Sequence, residues 1–415
     1  MAHPRGELSE LNVPLRAGPL KAGPLKPVPL KLRRFALLKA FLPAAASILF
    51  SLPWAGNAPL LAQAQPAPPR RIGVWLTNSP SPLYYDPARI DRAVQELAEA
   101  GFNTLYPNVW SRGTTFHRSR HAPMEPALEK ANPSLDPICR FTKAAHRRGL
   151  QVIPWFEYGL MEPADAAVVR QNPEWVLQRR DGSTEMVMHG KQMVWLNPAH
   201  PGVRQRFLGL IGEIVQRCSV DGIQLDDHFA WPVELGYDPY SRELFRVATG
   251  REPPDDHTDR AWMRWRRQQL TALLRELRGQ LKPSGTVISL SPGPFRFAYN
   301  HWLQDWELWS LGELIDDLVV QNYAHSLKGF EKDLNQPALV KARSWGMPVE
   351  IGILAGFGGR TPSMAILAQK AQLSLQRGHG VIYFYWEGLW GLHAGPEGAA
   401  YRQAAFRQLH QSYRR

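Results

Sequence analysis

The segment Asp221-Gly222-Ile223-Gln224-Leu225-Asp226-Asp227-His228 places two adjacent carboxylates and an imidazole at the end of a β-rich run. Neighbouring carboxylates held away from bulk water repel one another, so one keeps its proton to a raised pH and becomes a proton donor. Glu157, in Pro154-Trp155-Phe156-Glu157-Tyr158-Gly159, closes a second such run beside aromatics, and apolar surroundings raise a carboxyl toward the range of a general acid. Glu387, in Tyr385-Trp386-Glu387-Gly388-Leu389-Trp390, ends a third. Asp305 and Glu307 are weaker candidates, because helix N-termini attract acids anyway. Two carboxyl groups facing one another, roughly 5–5.5 Å or 6.5–9.5 Å apart, are the equipment for cleaving an acetal.

Such groups need a frame, and the chain supplies a repeating one. Strand patterns fall at Ile72–Asn78, Asn103–Trp110, Gln151–Glu157, Gly222–His228, Thr286–Ser291, Leu318–Tyr323, Pro348–Leu354 and Val381–Glu387. Helical patterns follow at Ala88–Ala100, Pro137–Arg148, Val203–Cys218, Arg260–Leu281, Glu307–Ile315, Glu331–Trp345, Ser363–Arg377 and Ala399–Arg415. Gly101, Gly149, Gly346 and Gly378 stand just past helix ends, where glycine terminates helices. Eight β-then-α units predict an α/β protein, a (β/α)8 TIM barrel with enlarged loops on the C-terminal face, over residues 71–415. A doubly wound open sheet fits less well, since no glycine-rich phosphate fingerprint follows the first strand.

Strand alternation then assigns faces. Gln224, Asp226 and His228 should face the lumen and its rim, with Asp227 outward. Tyr106 with Asn108, Trp155 with Glu157, Ser289 with Ser291, Gln321 with Tyr323, and Tyr383 with Tyr385 and Glu387 should share inward faces. The rim at the C-terminal strand ends is where barrels place their chemistry. Many of the fifteen tryptophans fall there, including Trp75, Trp110, Trp155, Trp195, Trp231, Trp302, Trp386 and Trp390. Indole faces stack on the C–H faces of pyranose rings, and amides such as Asn108, Gln321 and Asn322 suit their hydroxyls. The expected catalytic set is Asp226, Glu157, Asp227 and Glu387. The expected substrate contacts are Trp75, Tyr106, Asn108, Trp155, His228, Gln321, Asn322, Tyr323, Tyr385 and Trp386.

Other chemistries find less support. His117 and His121 could join Asp226 or His228 around a metal, but they fall in a loop with Arg118 and Arg120, which repel a cation. No P-loop, nucleophile elbow or Cys–His arrangement is present. No cofactor or metal is expected. Cys139 and Cys218 allow at most one bridge, and two buried free thiols are the plainer reading. Eight of the 49 Lys and Arg, but only two of the 37 acids, lie in residues 1–64, so half of the +12 net charge belongs to that stretch and nucleic-acid binding loses its compositional support.

The same stretch opens with low-complexity sequence containing the repeat Ala-Gly-Pro-Leu-Lys at 17–21 and 22–26. Lys31, Arg33 and Arg34 precede an apolar run, Phe35–Leu52, and Ala62-Gln63-Ala64 has the small-residue form of a cleavage site. That order reads as a secretory signal peptide, with a Pro-rich linker at 65–70 and a mature protein exported to the periplasm or cell envelope, without a stable span once the signal is removed. An uncleaved anchor is the competing reading, since the run nears the ~20 residues that span a bilayer.

Pro154–Gly159, Trp195-Leu196-Asn197-Pro198, Asp221–His228, Gln304-Asp305-Trp306 and Val320-Gln321-Asn322-Tyr323 together resemble the glycosyl-hydrolase-like 10 family of secreted bacterial barrel proteins, particularly its cyanobacterial members. The resemblance covers roughly Arg71 to Trp390 and is distinct from the family 10 xylanases. It implies a barrel hydrolase of glycosidic bonds in a cell-wall or extracellular polysaccharide, with the strand-four motif as its hallmark. Some relatives resemble enzymes that cut peptidoglycan glycan strands lacking stem peptides. The expectation is therefore a secreted glycoside hydrolase with a polysaccharide substrate and no nucleic-acid partner. A metal-dependent polysaccharide deacetylase and a non-catalytic carbohydrate-binding envelope protein are the alternatives.

Overall fold

The computed structural model describes residues 70–78, 81–188 and 190–413. The expected signal peptide and most of the linker lie outside the described residues. Parallel strands follow in chain order: β1 (Ile72–Leu76), β2 (Thr104–Pro107), β3 (Gln151–Val152 and Trp155–Phe156), β4 (Gly222–Asp226), β5 (Val287–Ser291), β6 (Asp317–Gln321), β7 (Val349–Leu354) and β8 (Gly380–Phe384). Each pairs with its neighbour in sequence, and β8 returns to β1. The ladder of β3 is interrupted at Ile153-Pro154, where proline has no N–H to give. Its first piece pairs with β2 and its second with β4. Hydrogen bonds from Ile153 N to Leu105 O (2.9 Å) and from Gln224 N to Pro154 O (2.8 Å) cross the gap. The ring closes as a (β/α)8 barrel.

The outer helices are α1 (Pro87–Glu99), α2 (Pro137–His146), α3 (Pro201–Cys218), α4 (Arg260–Leu281), α5 (Trp306–Leu311), α6 (Pro337–Ser344), α7 (Met364–Gln376) and α8 (Ala399–Gln411). The first three share one start signal: Asp86, Asp136 or His200 accepts a backbone N–H, and proline occupies the first turn. The helix expected over 331–345 is two, Leu327–Leu334 and α6, because Pro337 lacks the N–H that a continuous helix requires. The reading of free thiols is also corrected. Cys139 in the first turn of α2 and Cys218 at the end of α3 form a disulfide. Nothing in a separation of 79 residues announces this pairing, since the two helices become neighbours only when the barrel closes.

Alternation holds in β2 through β6 and fails in β8. Ile382 joins the lumen cluster with Trp75, Tyr106, Ile153, Trp155 and Val319, and Phe384 packs against it. Tyr383 instead faces outward, against Phe102, Phe406 and His410. Tyrosine is amphipathic and serves either face, so a Tyr-Phe-Tyr run carries no parity of its own. Low in the lumen, Arg71 pairs with Asp317, Ser289 Oγ donates to Asp317, Gln224 Nε2 donates to Ser289 Oγ (3.0 Å), and Trp75 Nε1 donates to Gln224 Oε1 (2.7 Å). This chain ties four strands together beneath the mouth.

Candidate active site

Asp226 is the last residue of β4 and is 3% exposed. Its Oδ2 accepts from Trp155 Nε1 (2.8 Å), and its Oδ1 accepts from Asp227 N (2.7 Å) and Gln321 Nε2 (2.9 Å). Gln304 Nε2 donates to the carbonyls of Asp226 (3.1 Å) and Phe229 (2.9 Å), fixing the turn that follows. Burial pushes the Asp226 carboxyl well above the usual carboxylate range, the charge of Asp227 and a hydrogen bond to its side chain push further, and Glu157 adds to the effect. The N–H donors oppose the shift without reversing it.

The outward expectation for Asp227 is corrected. The strand ends at Asp226 and the chain turns, so Asp227 swings back over the mouth, half-buried, with Oδ1 3.5 Å from His228 Nδ1. His228 Nδ1 lies 2.8 Å from the Glu157 carbonyl, which only accepts, so this nitrogen carries a proton. Its imidazole stacks on Tyr158 (centroids 5.7 Å, 21° between planes). Glu157 follows β3, and its Oε2 accepts from Asn108 Nδ2 (2.5 Å) and Ser111 Oγ (3.2 Å). Burial raises the Glu157 carboxyl above its ordinary value, against the opposing fields of Arg112 and His228. Among the described residues no Lys or Arg forms an ion pair with Asp226, Asp227 or Glu157.

The structure thus brings Asp226, Asp227, Glu157, Asn108, Trp155, His228 and Gln321 into one cluster. Tyr323, partly exposed, faces the two aspartates, whose charges help raise its hydroxyl pKa after burial. Other expectations are corrected. Trp75, Tyr106 and Tyr385 are buried in the lumen cluster. Asn322 Nδ2 donates to the Phe330 carbonyl (2.9 Å) and holds its own loop. Glu387 Oε2 accepts from Leu392 N (3.1 Å) and its carbonyl from His393 N (2.9 Å), so it clamps the 387–393 loop instead of joining the acids. Trp386 packs edge-on against Trp390 at 5.3 Å. Most of the rim tryptophans, namely Trp75, Trp110, Trp155, Trp195, Trp231 and Trp390, are buried, because long loops fold over the mouth and use them as core.

Several contributors were not expected. Phe384 packs with Trp155, Tyr323 and Phe357 at centroid distances of 5.6–6.2 Å and makes the aromatic wall. Ser111 and Arg112 come from a hairpin (Trp110–Ser111 with Thr114–Thr115) whose Arg-Gly turn was a readable signal. The His117/His121 pair, weighed as metal ligands and disfavoured by its arginines, is not brought to Asp226: both histidines sit 3.9 Å from Glu213 on α3, and burial lowers the His117 pKa to about 4. The ligand atoms of Asp226, Asp227 and His228 lie within 4.8 Å of one another, a set that could seat a divalent cation. The comparable set at Asp136, Cys139 and Cys218 has spent its thiols in the disulfide.

Residues 71–374 match the family described as Glycosyl hydrolase-like 10. The chain belongs to this family. It is 27% identical over 271 residues to the glycosyl hydrolase DigH of Escherichia coli strain K12, a match covering 58% of this chain and 57% of that relative. The chain therefore matches little more than half the length of that relative. Among solved structures it is similar to the PgaB (BpsB) glycoside hydrolase domain from Bordetella bronchiseptica, with TM-score 0.61 and 13% identity over 82% of this chain and 99% of that one. The catalytic domain of β-amylase from Paenibacillus polymyxa gives TM-score 0.55 and 11% identity over 82% and 97%. At such identities the two structures speak for the barrel alone, whereas the family match spans every strand from β1 to β7 and with them the Asp226–Asp227–Glu157 cluster.

Proposed function

We propose that this glycosyl hydrolase-like 10 protein hydrolyses glycosidic bonds in a cell-wall or extracellular polysaccharide. The observation that carries the proposal is the buried carboxyl cluster at the mouth, with no lysine or arginine paired to it among the described residues. Asp226 keeps its proton in the resting site, because burial and then the neighbouring charge of Asp227 disfavour its ionised form. Asp226 protonates the departing glycosidic oxygen, while Glu157, oriented by Asn108 and Ser111, serves as the second carboxyl, either attacking the anomeric carbon as nucleophile or taking the proton of the water that attacks it. Tyr323, Phe384 and Phe357 form the wall against which a pyranose ring packs. Export is part of the same proposal: the signal-like leader and the Cys139–Cys218 disulfide both suit an oxidising compartment.

The test is the product mass spectrum after incubation with peptide-free peptidoglycan glycan and with exopolysaccharide. Shorter chains bearing new reducing ends are expected. The Asp226–Asp227–His228 geometry favours one second reading, metal-assisted deacetylation, which would give chains of unchanged length that have lost acetyl groups, in a reaction stopped by a chelator. Chains returned unchanged would leave a binding protein.

A further inference from the structure

Beside the mouth lies a cavity of about 1510 Å³, above the 300–1,000 Å³ usual for a small-molecule site and sized for an oligomer. Its inner end is set by Ser111, whose hydroxyl is bonded to Glu157, and by Arg112. Trp175 also lines it, partly exposed, its indole laid over the first turn of α3. That position depends on Gly202, where a Cβ would fall 2.4 Å from the ring. Four cations line the cavity, and two are already spent: Arg206 is paired with Glu162 at 2.5 Å and Arg120 with Glu213 at 3.3 Å. Of the acids in the wall, Glu125 is engaged in capping the helix at Pro126–Ala131, and none pairs with Arg112.

Arg112 is out of place by the rules of its turn. It and Gly113 form a two-residue hairpin loop with φ of +50° and +77°, a type I′ pattern in which Asn-Gly rests most easily. A long cationic side chain in the left-handed region is strained, and here it projects to the junction between Glu157 and the cavity, its guanidinium 5.6 Å over the Tyr158 ring. The guanidinium donates to the Tyr158 hydroxyl and its field reaches Glu157, yet no carboxylate lies within ion-pair distance of it among the described residues, so donors of its fork remain for one. We propose that the cavity is the outer part of the saccharide cleft and that Arg112 binds a carboxylate carried by the sugar chain next to the cleaved bond, with Trp175 as a stacking platform further out. The substrate class is thereby an acidic glycan, its carboxylate carried either on a lactyl ether or on a uronic acid. This inference rests on the glycosidase reading.

Calorimetric titration of the full chain carrying Asp226→Asn, which leaves bound glycan uncut, tests it. The probes are peptide-free peptidoglycan glycan, the same chain with its carboxyls reduced to alcohols, and a uronic-acid glycan with its reduced counterpart. One charge-assisted contact should make an acidic chain bind about ten- to a hundredfold tighter than its reduced form, and whichever acidic probe shows this identifies the source. Adding Arg112→Asn, which the turn accommodates, should bring that ratio close to one. Trp175→Ala should weaken both forms and leave the ratio intact. A ratio near one for both pairs before Arg112 is changed, or a ratio that survives Arg112→Asn, overturns the proposal. If the ratio behaves as expected while wild-type protein cuts none of the chains, the glycosidase reading falls and the carboxylate site stands.

Discussion

The barrel buries carboxylates at two levels of one lumen, and the two groups have been treated differently. In the lower group Asp317 is paired with Arg71, accepts from Ser289 and is 1% exposed. Its neighbour Glu350, 5% exposed, is pushed up to about 8 by burial and by the charge of Asp317, with Arg71 opposing. At the mouth, Asp226 is as deeply buried, but its neighbours Asp227 and Glu157 keep some exposure, and among the described residues no arginine or lysine is paired with them. A buried acid with a raised pKa is therefore no sign of catalysis in itself. A mobile proton becomes useful where it meets an opening, whereas in the lower group Asp317 ties strands together and Glu350 is enclosed beside it.

That contrast can be sharpened by substitution. Glu157→Gln should lower kcat by about 10²–10⁴-fold with little change in KM, since proton transfer is lost and the cleft is kept. Asp227→Asn should cost about 10²-fold, and it has a second signature in the pH profile. Wild-type activity should fall on the alkaline side only above the usual carboxylate range, because Asp226 holds its proton there. With the neighbouring charge removed the Asp226 pKa drops, so this limb should move to lower pH. A rate–pH profile of both proteins measures the shift, and an unmoved limb would separate Asp227 from the proton.

Glu350→Gln addresses the lower group and should change stability rather than rate. Below about pH 4.5 Glu350 is protonated in both folded and unfolded chains; between that value and about 8 the unfolded chain loses its proton while the folded one keeps it. Stability contributed by this group thus falls as pH rises through that window and is level beyond it. The glutamine variant escapes the penalty and should gain up to a few kcal/mol over wild type at pH 8 and almost nothing at pH 4. Thermal melts at the two pH values would show it, and an equal gain at both would contradict the assigned proton.

Much of this arrangement is legible in the sequence. The eight units are legible because glycines such as Gly101 and Gly149 mark helix ends, and alternation places Asp226, Gln321 and Asn108 inward correctly. It failed where strands stop. Asp227 turns inward because β4 ends one residue earlier, and Glu387 falls in a short helix, Trp386–Leu389, instead of on β8. The tryptophans misled for a different reason: an indole next to a rim packs into loop core as readily as it faces a cleft, and only the loop's path decides. Arg112 could have been found, since an Arg-Gly pair between Ser111 and Thr114 asks why asparagine is not there.

The distinction between the two acid groups comes down to release of new reducing ends from one glycan by wild-type protein, Asp226→Asn and Glu350→Gln, side by side at one pH. Asp226→Asn is expected to stay folded and lose at least about 10²-fold in rate, with Glu350→Gln within about twofold of wild type. Near-normal cleavage by Asp226→Asn, or a folded Glu350→Gln protein as inactive as Asp226→Asn, would contradict the assignment of catalysis to the mouth.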